Sequence, residues 1–152
     1  MKNINEIAFI IQSRKGSVRV KNKMLKPFND SCLFEIAIQK ILKSKIIPKE
    51  NFYVSVLDDE FKTIANKHNV NIFHRSPEST VEPVELPTVF GWHKKGALNK
   101  PYKYWIYMGS FKEPGNPEFF IMDEIECFDI DWPFQFDIAK TMYKQRKDLI
   151  WK

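Results

Sequence analysis

"IAFIIQSRKGSVRVKNKMLKPFNDSCLFEIAIQK", residues 7–40, joins three kinds of chain in one stretch. The run IAFIIQ (7–12) is nearly unbroken in apolar residues and rich in β-branched side chains, the composition of a strand covered on both faces. Directly after it, six cationic side chains fall in the thirteen positions from Arg14 to Lys26, with one glycine and no acid. Residues 30–45, DSCLFEIAIQKILKSK, then read as a helix. Asp30 or Ser31 is placed to cap it, Leu33, Ile36, Ala37 and Ile41 recur at helical spacing, and Lys40, Lys43 and Lys45 complement its carbonyl end. A buried strand, a basic loop and an amphipathic helix in that order set the α/β reading.

The same alternation continues outward. NFYVSVL (51–57) reads as a second strand, and DDEFKTIANKHN (58–69) as a second helix with acids in its first turn and Phe61, Ile64 and Ala65 facing inward. VNIFH (70–74) reads as a third strand. Strand and helix alternating with short connections predict a mainly parallel sheet between helical layers, a three-layer α/β sandwich. From Ser76 to Asn99 the periodicity stops, with three prolines and two glycines, and a short helical turn is expected near 89–94. YKYWIYM (102–108) returns to strand composition, FKEPGNPE (111–118) is a turn, and FFIMDEIECFDI (119–130) is expected to hold the last one or two strands. PFQFDIAKTMYKQRK (133–147) closes the chain as a helix, with proline in its first turn and basic residues in its last. The expectation is a single domain over 1–152 with an irregular, shortened connection at about 76–118.

Composition excludes several classes. With 152 residues, 43 % of them apolar, 28 % charged and thirteen phenylalanines, the chain has the bulk for a core and is not a disordered polymer. No apolar run approaches the roughly 20 residues that cross a bilayer. IAFII is too short for a secretory core, so a cytoplasmic protein with no membrane partner is expected. Cys32 and Cys127 sit among apolar residues, spaced neither as a disulfide framework nor as a metal pair, and read as core. The net charge of +5 comes from 24 basic against 19 acidic residues; without the six cations of 14–26 the count is 18 against 19. The excess is local, which favours a compact anionic ligand over a nucleic acid.

In open parallel sheets ligands bind beyond the carboxyl ends of the strands, where the basic loop begins. Gly16 permits a tight turn and close approach, Ser17 offers a hydroxyl, and free amides of the loop can form an anion nest. Arg14, Arg19 and Lys23 are then placed to grip phosphate oxygens, and a triphosphate would account for the charge. The plain alternative is a solvated basic loop; neither the GxxxxGK[ST] nor the GxGxxG pattern is present. Late in the chain, FDIDWP (128–133) offers Asp129 and Asp131. On a strand they would point the same way and hold one magnesium ion, with Ile130 packed into the sheet. The competing reading makes Asp131 the cap of the helix that begins near Pro133. His68 reads as a partner of its helix dipole, His74 and His93 lack metal spacing, and the stripe Tyr102, Tyr104, Trp105 and Tyr107 reads as sheet packing.

IIQSRKGSVRVKNKMLKPF resembles the opening signature of the cytidylyltransferase superfamily that activates acidic sugars such as sialic acid and Kdo, and is also similar to the spore-coat polysaccharide branch. YVSVLDDEFKTIANKHNVNIFHRSPES resembles the next family stretch, and ECFDIDWPFQFDIAK the C-terminal D-I-D-T-P-x-D-F-x-x-A signature. The resemblance covers about 7–79 and 119–143. It implies a reduced nucleotide-diphospho-sugar transferase type of fold and a magnesium-dependent nucleotidyltransferase that moves CMP from CTP to an acidic sugar with release of pyrophosphate. By position, Arg14, Gly16, Ser17, Arg19 and Lys23 would bind the triphosphate, with Arg14, Arg19 and Lys23 also assisting its chemistry. Arg75 would help position the nucleotide, and Asp129 and Asp131 would hold Mg2+.

Departures accompany the likeness. Val18 stands where sialic-acid and Kdo enzymes often carry lysine, Met24 where they carry asparagine, Lys21 where proline is usual, and Trp132 where threonine is usual. The central Q-P-T-S-P-type block, which shapes the sugar pocket and much of the dimer contact, has no counterpart, so the resemblance allows a homodimer without specifying one. Two rivals follow: a degenerate relative that binds nucleotide or a partner protein without turnover, and a small basic nucleic-acid-binding domain.

Overall fold

A computed structural model of the chain describes residues 3–75, 77, 104–107 and 128–150. Its centre is a parallel sheet of β1 (Ile7–Gln12), β4 (Phe52–Val56), β5 (Asn71–His74) and β6 (Tyr104–Tyr107), in the order β5-β4-β1-β6. A two-stranded antiparallel hairpin, β2 (Pro27–Phe28) and β3 (Ser31–Cys32), precedes α1 (Leu33–Lys43). α2 (Asp59–Lys67) links β4 to β5, and α3 (Pro133–Ile150) is the last helix. The α/β class and the parallel strands match the expectation.

β1 is buried along nearly its whole length, and β4 throughout. Ile7, Phe9 and Ile11 of β1, with Phe52, Val54 and Val56 of β4, meet Phe34, Ile38 and Ile41 of α1 and Phe61 and Ala65 of α2 in one apolar cluster. Phe34 and Phe61 lock the two helices edge to face at 4.8 Å. The other face, with Ala8, Ile10 and Tyr53, is buried as well, so the sheet is a middle layer. Asn69, just past the end of α2, adopts the left-handed φ of 53° that stops the helix, and the Val70 amide donates back to the Ala65 carbonyl.

A second, smaller core positions the functional region. Val20 of the basic loop, Phe28 of β2, Ile36 of α1 and Phe136 of α3 pack together, with Ile130 and Tyr143 against them. Phe28 is edge-on to both Phe136 and Tyr143 at 5.4 Å. One buried valine thereby fastens a chain segment that is otherwise polar and charged to the start of the last helix.

Three local expectations are corrected. α1 begins at Leu33 with Cys32 at its cap and no side-chain capping bond, because Ser31 and Cys32 are paired with Phe28 and Pro27 in the hairpin. The Ser31 hydroxyl instead donates to Glu35 Oε2 at 2.7 Å. The fully buried residues of α1 include Phe34 and Ile38, whereas Leu33 and Ala37 are only partly buried. Residues 128–131 form no strand: Ile130 packs into the small second core rather than into the sheet. The expected turn at 89–94, the strands over 119–127 and Cys127 lie outside the described residues.

Candidate functional site

The strand order supplies the location. From β1 the chain steps to β4 and β5 on one side, while β6 lies on the other, so the order reverses at β1. A crevice at the carboxyl end of such a strand is where open parallel sheets bind ligands. β1 ends there on Gln12, followed by Ser13, whose amide donates to the Ser55 carbonyl at 3.1 Å, and then by the basic loop.

The loop is a series of tight turns. The Ser17 amide donates to the Lys15 carbonyl at 2.8 Å, a three-residue turn centred on Gly16. A Cβ on Gly16 would meet the Arg14 guanidinium at 3.6 Å, an ordinary contact, and its φ is not in the left-handed region. The turn expected there is present, but this conformation does not itself demand glycine. Asn22, at a φ of 53°, carries the next bend, and its carbonyl accepts from the amides of Leu25 and Lys26.

These turns and the second core enclose a polar cavity of about 310 Å³, lined by Arg14, Ser17, Arg19 and Lys23 of the loop and by Ile130 and Asp131 of the late segment. Arg19 Nη1 lies 3.0 Å from Asp131 Oδ2, with the two side chains 54 % and 38 % exposed. The Arg19 guanidinium also sits over the Trp132 ring, 5.8 Å from its centre. Lys23 Nζ donates to the Ile130 carbonyl. The basic loop and the D-I-D segment, distant in sequence, therefore form one wall-to-wall site.

The expected site residues divide accordingly. Arg14, Ser17, Arg19, Lys23 and Asp131 are brought together, and Gly16 lies beneath Arg14. Arg75 follows β5, buried at 7 % exposure, with its amide donating to the Val56 carbonyl. Burial, and then the Arg14 charge, lower its pKa, partly countered by Asp58. It adjoins Arg14 electrostatically but is not among the residues lining the cavity. Asp129 is exposed, outside that lining, and its Oδ1 accepts from the Ile130 amide at 2.7 Å. The convergence of two carboxylates expected from strand geometry is thus replaced by one carboxylate lining the cavity and one outside its lining.

Asp131 is not the helix cap either. The helix begins at Pro133, which puts Trp132 rather than Asp131 at the cap position, and Gln135 Oε1 reaches back to accept from the Asp131 and Trp132 amides, at 2.8 and 2.7 Å. Asp131 Oδ2 goes to Arg19, leaving Oδ1 available for another ligand. Among the described residues no group of three or more His, Cys, Asp or Glu side chains could hold a metal.

Sequence reading missed four features. Lys15 turns away from the cavity to pair with Glu60 of α2, which raises the lysine pKa and lowers that of the glutamate. Val20 is an anchor rather than a loop residue, and apolarity alone did not mark it, because Val18, two positions earlier among the same cations, is 81 % exposed. Trp132 holds Arg19. Finally, Gln12 Oε1 and Ser13 Oγ, at the end of β1, are buried with no hydrogen-bond partner among the described residues, a condition rare in folded proteins.

Residues 8–82 match the family model described as cytidylyltransferase. A spore coat polysaccharide biosynthesis protein, SpsF, of Bacillus subtilis (strain 168) is 29 % identical over 85 residues, 52 % of this chain and 35 % of that protein. An uncharacterised protein of Methanocaldococcus jannaschii is 32 % identical over 79 residues, 51 % of this chain and 32 % of its own length. A solved cytidylyltransferase structure from Leptospira borgpetersenii aligns over 47 % of this chain and 31 % of that one, with 31 % identity and a TM-score of 0.41. The chain spans about a third of the length of the curated relatives it matches.

Proposed function

Because residues 8–82 match the cytidylyltransferase family model, we propose that the chain acts as a magnesium-dependent nucleotidyltransferase that transfers CMP from CTP to an acidic sugar of the sialic-acid or Kdo kind. The observation that carries this reading is the meeting of Arg14, Ser17, Arg19 and Lys23 with Asp131 around one polar cavity at the carboxyl end of β1. Surface-sugar synthesis in the cytoplasm, where CTP is made, is the setting that fits.

The reaction is a displacement at phosphorus. A sugar hydroxyl oxygen bonds to the α-phosphorus, the bond from that phosphorus to the bridging oxygen breaks, the hydroxyl proton is released, and pyrophosphate leaves. Arg14, Arg19 and Lys23 bind and neutralise the phosphate oxygens, the arginines with their planar forks. Ser17 donates from its hydroxyl. Arg75, buried behind Arg14, keeps that side of the site positive and helps position the nucleotide. Only Asp131 of the two carboxylates lines the cavity, so magnesium would be held there by one carboxylate at most, with phosphate oxygens and water completing its shell. Bound there, the ion would supply charge neutralisation on the phosphates. No covalent intermediate with the protein is required, so the chain's contribution is positioning and electrostatics.

A second reading, nucleotide binding without turnover, is favoured by Val18: it is 81 % exposed beside the cavity, where the enzymes this chain resembles often carry a phosphate-binding lysine. Titration of CTP with and without magnesium, followed by pyrophosphate release across a panel of acidic sugars, separates the two. Magnesium-dependent binding with pyrophosphate release supports the transferase. Binding without release from any sugar selects the second reading, and no binding overturns both.

A further inference from the structure

Arg19 has two partners and is proposed above to take a third. Its guanidinium is 3.0 Å from Asp131 Oδ2, rests over the Trp132 ring, and lines the cavity where phosphate oxygens would sit. Among the described residues the Asp131 carboxylate has no other charged partner. Arginine and a divalent cation compete for the same carboxylate, because each neutralises it and a cation approaching the pair meets like charge from the guanidinium.

We propose that Arg19 is a latch on Asp131, held in place by Trp132, and that an anionic ligand that draws Arg19 off strengthens the binding of a divalent cation there. This rests on the transferase reading, in that it takes Asp131 to be a metal ligand and Arg19 a phosphate ligand. A half-exposed ion pair is weak enough to exchange readily, and a triphosphate offers the guanidinium several oxygens in place of one carboxylate. Moving Arg19 from Asp131 to phosphate unmasks the carboxylate at the moment the nucleotide arrives. Trp132, standing where the resembled family usually has threonine, is the positioning residue that makes the latched state specific to this chain. Binding of nucleotide and of metal would then be coupled through one side chain.

Mn2+ binding to the nucleotide-free protein, followed by the electron spin resonance signal of the free ion, tests the latch without any turnover. Arg19→Gln should bind Mn2+ about fivefold more tightly than the wild type, and Arg19→Lys, which keeps the charge, should stay near it. The gain should vanish in the Arg19→Gln, Asp131→Asn double variant. Trp132→Ala should gain part of the effect, and Trp132→Phe, which keeps an aromatic face, little of it. In EDTA, CTP should change the tryptophan emission of the wild type but not of Trp132→Phe, as the guanidinium leaves the indole. Equal Mn2+ affinity for wild type and Arg19→Gln, with Asp131→Asn weaker than both, would overturn the latch and leave the transferase reading intact. If Asp131→Asn alters Mn2+ affinity in neither background, the metal assignment itself falls, and the latch with it.

Discussion

Two carboxylates show how the same chemistry is used for opposite ends. Glu35, in the first turn of α1, is 13 % exposed and accepts from Lys67 Nζ and Ser31 Oγ and pairs with His68 Nε2, all within 2.8 Å. These contacts, Lys67 foremost, hold its pKa down to about 2. Asp131 is 38 % exposed and, among the described residues, has one charged partner, Arg19, which is itself half solvated. The first carboxylate is saturated and ties α1 to the end of α2; the second keeps an oxygen in reserve beside a cavity. Saturation marks a structural charge, and incomplete pairing marks one available to a ligand.

The sharpest way to break this contrast is to remove each carboxylate in turn. Asp131→Asn should lower pyrophosphate release by at least about 100-fold, as loss of one preorganised charge at a phosphoryl centre does, while the melting temperature stays near that of the wild type. Glu35→Ala should do the reverse. It strands a lysine, a hydroxyl and an imidazole at a partly buried position, costing about 1–3 kcal/mol in urea unfolding with CTP affinity preserved. If Asp131→Asn unfolds the protein or Glu35→Ala abolishes nucleotide binding, the division between structural and functional charge is wrong.

Acid sharpens the same comparison. The folded pKa of Glu35, about 2, lies below its ordinary 4.5, so its stabilisation is complete above about pH 5 and is lost as pH falls from there toward 2. Melting temperatures followed by circular dichroism from pH 6 to pH 2.5 should decline over that window, and Glu35→Gln should flatten that part of the decline.

The anchor of the loop ranks next. Val20→Ala opens the second core where the loop, α1 and α3 meet, and should cost about 1–3 kcal/mol while weakening CTP binding, because Arg19 and Lys23 depend on that anchor for their placement. A drop in stability with unchanged CTP affinity would show that the loop finds its shape without the core.

Much of this arrangement is legible in sequence because it is local. β1 is an apolar run, α2 has its acids first and its apolar residues at helical spacing, and the six cations of 14–26 are simply counted. What could not be read depends on partners far along the chain. D-I-D alternates like a strand, yet its single isoleucine serves a core built from Val20, Phe28 and Phe136, and periodicity over three residues cannot distinguish the two uses. Ser31 has the right chemistry for a cap, but hairpin pairing of its backbone turns its hydroxyl to Glu35 instead. Asp131 has the right chemistry for a cap, but α3 begins at Pro133, one residue too late for it, and its carboxylate goes to Arg19 instead.

The smallest expected effect concerns Lys15, the cation of the loop that faces away from the cavity. It pairs with Glu60 at the exposed start of α2, and its raised pKa records that bond and the acids of the same turn. Ion pairs of this kind are screened by solvent and salt and contribute little. Lys15→Gln should therefore leave the melting temperature unchanged and reduce CTP affinity only through the loss of one distant charge, an effect that disappears as salt is raised. Arg14→Gln, one residue earlier but lining the cavity, should lower CTP affinity at every salt concentration. Equal losses for the two would mean that the loop acts as a diffuse positive surface, and the distinction between a cation that lines the cavity and one that turns away from it would not hold within it.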